Sequence, residues 1–199
     1  MTKNLARAFA FWVPILAATS GLFLFAYWGL QQNYRVTFND PQIQLAEDGA
    51  AALSAGAPPA SLVTRGVAPV DLAASLAPWV AVYDASGTPL ESSGALDGAP
   101  PRLPAGVFDE STWHLYAEQG ISFPVPFHET RFSWQPRAGV RQAVVLVHTD
   151  NGYFVASGRN MREMEAQEKV LTEGAGMLWG ATELGTLIVI LILIALGWL

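Results

Sequence analysis

Three histidines, His114, His128 and His148, are the residues best suited to metal binding or general acid–base work in this sequence. Their spacing supports neither role. No two of them sit one helical turn apart, as paired ligands on one helix face must, so they read as surface or satisfied core histidines and no metal site is expected. The triplet "HET" at 128–130 lacks the second histidine one turn on that a metalloprotease helix requires. Ser133 in "RFSWQ" has no base at a predictable spacing. Asp109-Glu110 is the kind of acidic pair that favours the dipole at a helix start. The sequence contains no Gly-x-Ser-x-Gly elbow, phosphate loop or Gly-x-Gly-x-x-Gly turn. The expectation is a non-enzymatic chain, with no catalytic residue and no cofactor.

Binding chemistry is better represented. Arg131, Trp134, Arg141 and Tyr153 fall in a strand-rich region, and guanidinium groups beside aromatic rings are what an anionic or aromatic ligand needs. The four are candidate lining residues of a small-molecule pocket. The plainer reading makes Trp134 and Tyr153 core residues and the arginines solvated edge groups.

These residues must be positioned by the elements around them, and the ends of the chain are distinctive. "AFAFWVPILAATSGLFLFAYWGL" (8–30) carries no charge, and "MLWGATELGTLIVILILIALGWL" (177–199) carries only Glu183. Each has about the 20 residues that cross a hydrocarbon core about 30 Å thick. Trp12 and Trp28, and Trp179 and Trp198, bracket the two runs roughly 24–28 Å apart as helix, like interface anchors. Two transmembrane helices are expected. The first is too long, and too bulky at Phe25, Tyr27 and Trp28, for a cleaved signal peptide, so it reads as an uncleaved anchor. Lys3 and Arg7 place its start on the cytoplasmic side, which puts residues 31–176 outside and returns the C-terminus to the inside. Glu183 costs least near the outer interface, about one turn inside Trp179. Gly176 and Gly180, Ala181 and Gly185, and Ala17 and Gly21 form small-xxx-small pairs; Gly176, Gly180 and Gly185 are candidate helix-packing positions toward a membrane-protein partner or a second copy.

Charge narrows the partners. Of eleven basic residues, Lys3 and Arg7 precede the first run and leave nine in the middle segment; of seventeen acidic residues, all but Glu183 lie there. An acidic domain of this kind has no footprint for nucleic acid or anionic lipid headgroups. Cysteine is absent, which rules out a disulfide framework.

Within the middle segment, "QQNYRVTFNDPQIQLAEDGAAALSAG" (31–56) predicts a helix to about Asn39 and a second one starting at Pro41. "SAGAPPASLVTRGVAP" (54–69) is a loop. "WVAVYDASGTPLESS" (79–93) predicts a hairpin turning at Asp84–Gly87, and "AGVFDESTWHLYAEQG" (105–120) a short helix ending at Gly120. Residues 129–160 predict three more strands, with turns at Pro136–Gly139 and Asp150-Asn151-Gly152. "VRQAVVLVH" has apolar residues on both parities, as a strand buried on both faces does. The predicted fold class is α+β: a five-stranded antiparallel sheet with flanking helices, between two transmembrane helices. Asn160 can cap a helix whose first turn carries Glu163, with Met161, Met164 and Leu171 as a narrow apolar stripe.

"VYDASGTPLESS", "RFSWQPRAGVRQAVVLV" and "GYFVASGRNMREMEAQE" together resemble the extracytoplasmic sensor region of bacterial membrane histidine kinases. That resemblance implies a PAS-like domain between two spans in the bacterial inner membrane, with a helix leading from its last strand into the bilayer. It divides the chain into a cytoplasmic tip and first span (1–30), a PAS-like sensor domain (31–158), a connector helix (159–176) and a second span (177–199). The HAMP segment, phosphoacceptor histidine and ATP-binding domain of such kinases do not follow the second span here. The expected function is a sensor-like module that binds a small ligand or protein outside the membrane and relays to a separate transmitter. The alternative is a structural or accessory subunit of a larger membrane complex.

Overall fold

The computed structural model describes residues 2–64, 66–109 and 128–198. They fall into two compact units, Met1–Thr37 with Met164–Leu199, and Phe38–Glu163.

Unit Phe38–Glu163 is an α+β domain built on a five-stranded antiparallel sheet. Its strands are β2 (Trp79–Tyr83), β3 (Pro89–Ser92), β5 (His128–Arg137), β6 (Val140–His148) and β7 (Phe154–Asn160), in the order β3-β2-β7-β6-β5. The predicted hairpins lie where turn chemistry puts them. Asp84 Oδ1 accepts hydrogen bonds from the Ser86 and Thr88 amides at 2.9 Å each and from the Ser86 hydroxyl at 2.6 Å, closing the β2–β3 turn. β1 (Val70–Asp71) and β4 (Gly94–Ala95) add a small parallel pair that the sequence reading did not include, because two-residue strands carry no periodicity.

The sheet is buried on both faces. One layer gathers Leu72, Trp79, Tyr83, Leu103, Trp134, Val144, Leu146 and Phe154 beneath the loops before β2 and after β4. The other gathers Val82, Val145, Val147 and Val155 against Ala46, Ala50 and Leu53 of the first helix. β6 supplies both layers, which explains its unbroken apolar run. Gly49 makes the close helix approach possible: a Cβ there would stand 3.1 Å from Val155 and 3.2 Å from Leu62.

That first helix, α1, is a correction. It runs from Thr2 to Ser54 without a break at Pro41. Proline removes one backbone hydrogen bond and crowds the preceding turn. Here the helical stripe Gln42, Ala46, Ala50 and Leu53, fully buried, outweighs that cost. The short helix expected over 105–120 begins as a 3-10 turn at Ala105–Phe108, and its remainder lies outside the described residues. α2 spans Arg162–Ala195, so the expected connector and second span are one helix.

The other unit pairs the two apolar helical stretches. Ala6–Tyr34 and Arg162–Ala195 are both long and apolar enough to cross a membrane, with mean hydropathies of 1.9 and 2.1. Only 6% and 11% of their most apolar windows are buried within the protein, unlike core helices of a soluble fold. Large apolar side chains such as Leu22, Phe25 and Leu184 face outward, more than half exposed. Two candidate membrane-spanning helices thus flank the β-domain in the chain, which is consistent with a two-pass membrane protein.

Candidate functional site

Two sets of polar contacts stand out, one in each unit. The first surrounds the junction between β7 and α2. Asn160, the last residue of β7, is buried and works in two directions. Its Oδ1 accepts from the Arg162 amide at 2.9 Å, capping α2 as its residue type predicts, and its Nδ2 donates to the Leu72 carbonyl at 3.0 Å. Gln142 lies opposite Asn160 in register and donates to the same carbonyl at 2.8 Å. The Gln142 side-chain oxygen accepts from the Trp79 indole at 3.1 Å. A glutamine at a fully buried strand position needs such partners, since an unpaired amide there would cost about 1–3 kcal/mol.

Arginines complete the junction. Arg159 donates through Nε to the Leu76 carbonyl at 3.0 Å and through Nη2 to Glu163 Oε2 at 2.6 Å. Its guanidinium carbon lies 4.8 Å from the centroid of Phe38. Arg162 donates to the Ala74 carbonyl at 2.9 Å. The 72–76 loop, the end of β7, the first turn of α2 and Phe38 of α1 are therefore held by one set of side chains. Sequence reading found Asn160 and Glu163 but missed Gln142, Arg159 and Phe38; a lone Gln inside an apolar strand was the available signal.

The predicted ligand residues fall on both sides of the sheet. Trp134 is buried in the layer with Trp79, its ring edge-on at 6.5 Å. Arg131 pairs in register with Val145, Arg141 shares that strand parity, and Tyr153 packs on the layer beneath α1. Arg131 is exposed and ion-paired with Glu129, two residues before it on the same face. Register sets His128 opposite His148, whose ring stacks on Phe154 at 4.5 Å; His114 lies outside the described residues.

Burial pushes the Tyr83 phenol well above its ordinary value while its hydroxyl donates to the Pro101 carbonyl at 2.9 Å. The Ser86 hydroxyl, then the Thr88 amide, hold the Asp84 carboxyl below the usual carboxylate range. Both effects belong to packing and turn closure.

The second set of contacts links the paired helices in antiparallel order. The Trp12 indole donates to the Glu183 carbonyl and the Thr186 hydroxyl, both at 3.3 Å. The Thr19 hydroxyl donates to Glu183 Oε1. The Trp179 indole donates to the Ser20 hydroxyl at 2.9 Å, Tyr27 and Thr172 share a hydrogen bond at 2.7 Å, and Gln31 donates to Glu168. Glu183 is only 5% exposed. Its partner Thr19 lies midway along the 8–30 apolar run.

Gly176, Gly180 and Gly185 each have open space where a Cβ would stand. Gly176 lines an apolar groove of about 310 Å³ with Phe23, Leu24 and Trp179, and Gly185 one of about 530 Å³ with Phe11, Ile15 and Val189. Their small size is thus not required by packing between the two described helices. Comparison with family models, characterised proteins and solved structures returns no match for this chain.

Proposed function

We propose that this chain is a membrane-anchored, extracytoplasmic sensor-like module of PAS-like kind, which binds a small ligand or a protein and relays that state to a transmitter. The observation that carries the reading is the β7–α2 junction. A change in the loop at Leu72–Leu76 acts directly on Asn160, Arg159 and Arg162, and these residues cap or open α2. A passive tether needs no such coupling between a sheet-covering loop and the first turn of a membrane-directed helix. In this reading the protein resides in a bacterial inner membrane with both termini cytoplasmic, as Lys3 and Arg7 at the start of the first span favour.

A second reading, an accessory subunit of a larger membrane complex, draws on the open space at Gly176, Gly180 and Gly185. A thermal-shift screen of small molecules on the intact, detergent-solubilised chain separates the two. A true ligand at one hundred times its dissociation constant stabilises the protein by about 2.7 kcal/mol. A chain that responds to none of them and co-purifies stoichiometrically with a membrane complex belongs to the second class.

A further inference from the structure

We propose that Thr19 and Glu183 form a register lock for the helix pair, with Glu183 as the positioning residue. Three observations lead there. Glu183 is buried, its Oε1 accepts from Thr19, and its Oε2 has no hydrogen-bond partner among the described residues. A buried carboxyl held by one donor gains much from that donor and loses much without it.

The surrounding sequence makes the pairing selective. Sliding α2 by one turn along α1 in either direction brings Ile15 or Phe23, both apolar, opposite Glu183 in place of Thr19. The same slide moves the Trp179 indole from Ser20 to Leu16 or Leu24. Thr19 and Ser20 are, with Tyr27, the hydroxyl residues of the 8–30 apolar run, so neighbouring registers take these partners from Glu183 and the Trp179 indole, while the Thr19 hydroxyl keeps the Ile15 carbonyl of its own helix at 2.7 Å. The remaining rungs, Trp12–Thr186, Tyr27–Thr172 and Gln31–Glu168, follow the same register from either side. The lock depends only on the two helices and not on what the outer domain binds.

The cysteine-free chain suits disulfide trapping in membrane vesicles. Tyr27→Cys with Thr172→Cys reports the observed register. Tyr27→Cys with Gly176→Cys, and Phe23→Cys with Thr172→Cys, report slides of one turn in opposite directions. In the full-length protein, Glu183→Leu and Thr19→Val should each move the ratio of shifted to native crosslinks by about threefold to thirtyfold, the range spanned by single interhelical hydrogen bonds. Glu183→Gln, whose amide oxygen still accepts from Thr19, should stay near the native ratio. Native ratios in both apolar variants, or a glutamine variant as shifted as the leucine one, overturn the lock. If Glu183→Leu fails to accumulate in the membrane, Thr19→Val decides alone, since it leaves the carboxyl in place.

Discussion

Gly158 is the residue whose identity the sheet constrains most directly. The Trp79 indole lies across it, and a Cβ at position 158 would stand 2.5 Å from the ring. The ring cannot easily retreat, because Gln142 holds its nitrogen and Trp134 packs edge-on against it. Gly158→Ala should therefore destabilise the domain by about 1–3 kcal/mol, the usual cost of overpacking, seen as a lower thermal midpoint. Asp84 makes a pH-dependent prediction. Its folded pKa is depressed, so the stability it adds is present above its unfolded value of about 4 and is lost as pH falls through the lower folded one. The thermal midpoints of wild type and Asp84→Asn should differ by a constant amount near neutral pH and converge in acid. A gap that stays unchanged as pH falls from neutral into strong acid would show that the turn gains nothing from the charge.

At the scale of elements, the junction between β7 and α2 is held by side chains as well as by the sheet, whose backbone bonding reaches the Met161 amide, which donates to the Arg141 carbonyl at 2.8 Å. Asn160→Ala removes the α2 cap and one of the two amide donors to the Leu72 carbonyl, while Gln142 keeps the other. The expected loss is about 1 kcal/mol for the cap, somewhat more with the buried contact. Hydrogen exchange should show it as faster opening confined to the 71–76 loop and the first turn of α2. Uniform loss of protection across the sheet would instead mean that Asn160 supports the whole core. α1 carries the contrasting lesson. Pro41 reads locally as a helix start, yet burial of the Gln42–Leu53 stripe keeps the helix continuous through it.

For the molecule as a whole, the proposed two-pass topology, with which two sparsely buried apolar helices long enough to cross a membrane are consistent, sets the β-domain and the chain termini on opposite sides of a bilayer. Single cysteines test this cleanly. Ala85→Cys, exposed in the β2–β3 turn, should react with a membrane-impermeant maleimide in intact cells, and Ala6→Cys only after permeabilisation. Equal labelling of both sites in intact cells would remove the two-pass topology.

The sequence by itself determined the two apolar spans, the hairpin turns and the antiparallel α+β class, because these rest on composition, period and local turn chemistry. It also marked Asn160 as a helix cap, since capping is decided within one turn. Tertiary structure decided what depends on distant partners. Trp134 went to one face of the sheet while Arg131, Arg141 and Tyr153 share the other, because alternation is visible in a strand but its absolute direction is set by register. The Leu72 carbonyl with its two amide donors joins residues about seventy to ninety positions apart, beyond any local pattern. Glu183 shows the same limit most plainly. Its own helix shows only where it falls along α2, and the pairing shows that its carboxyl meets Thr19, 164 positions away. Local propensity fixes elements, whereas burial and long-range hydrogen bonding fix which of their faces meet.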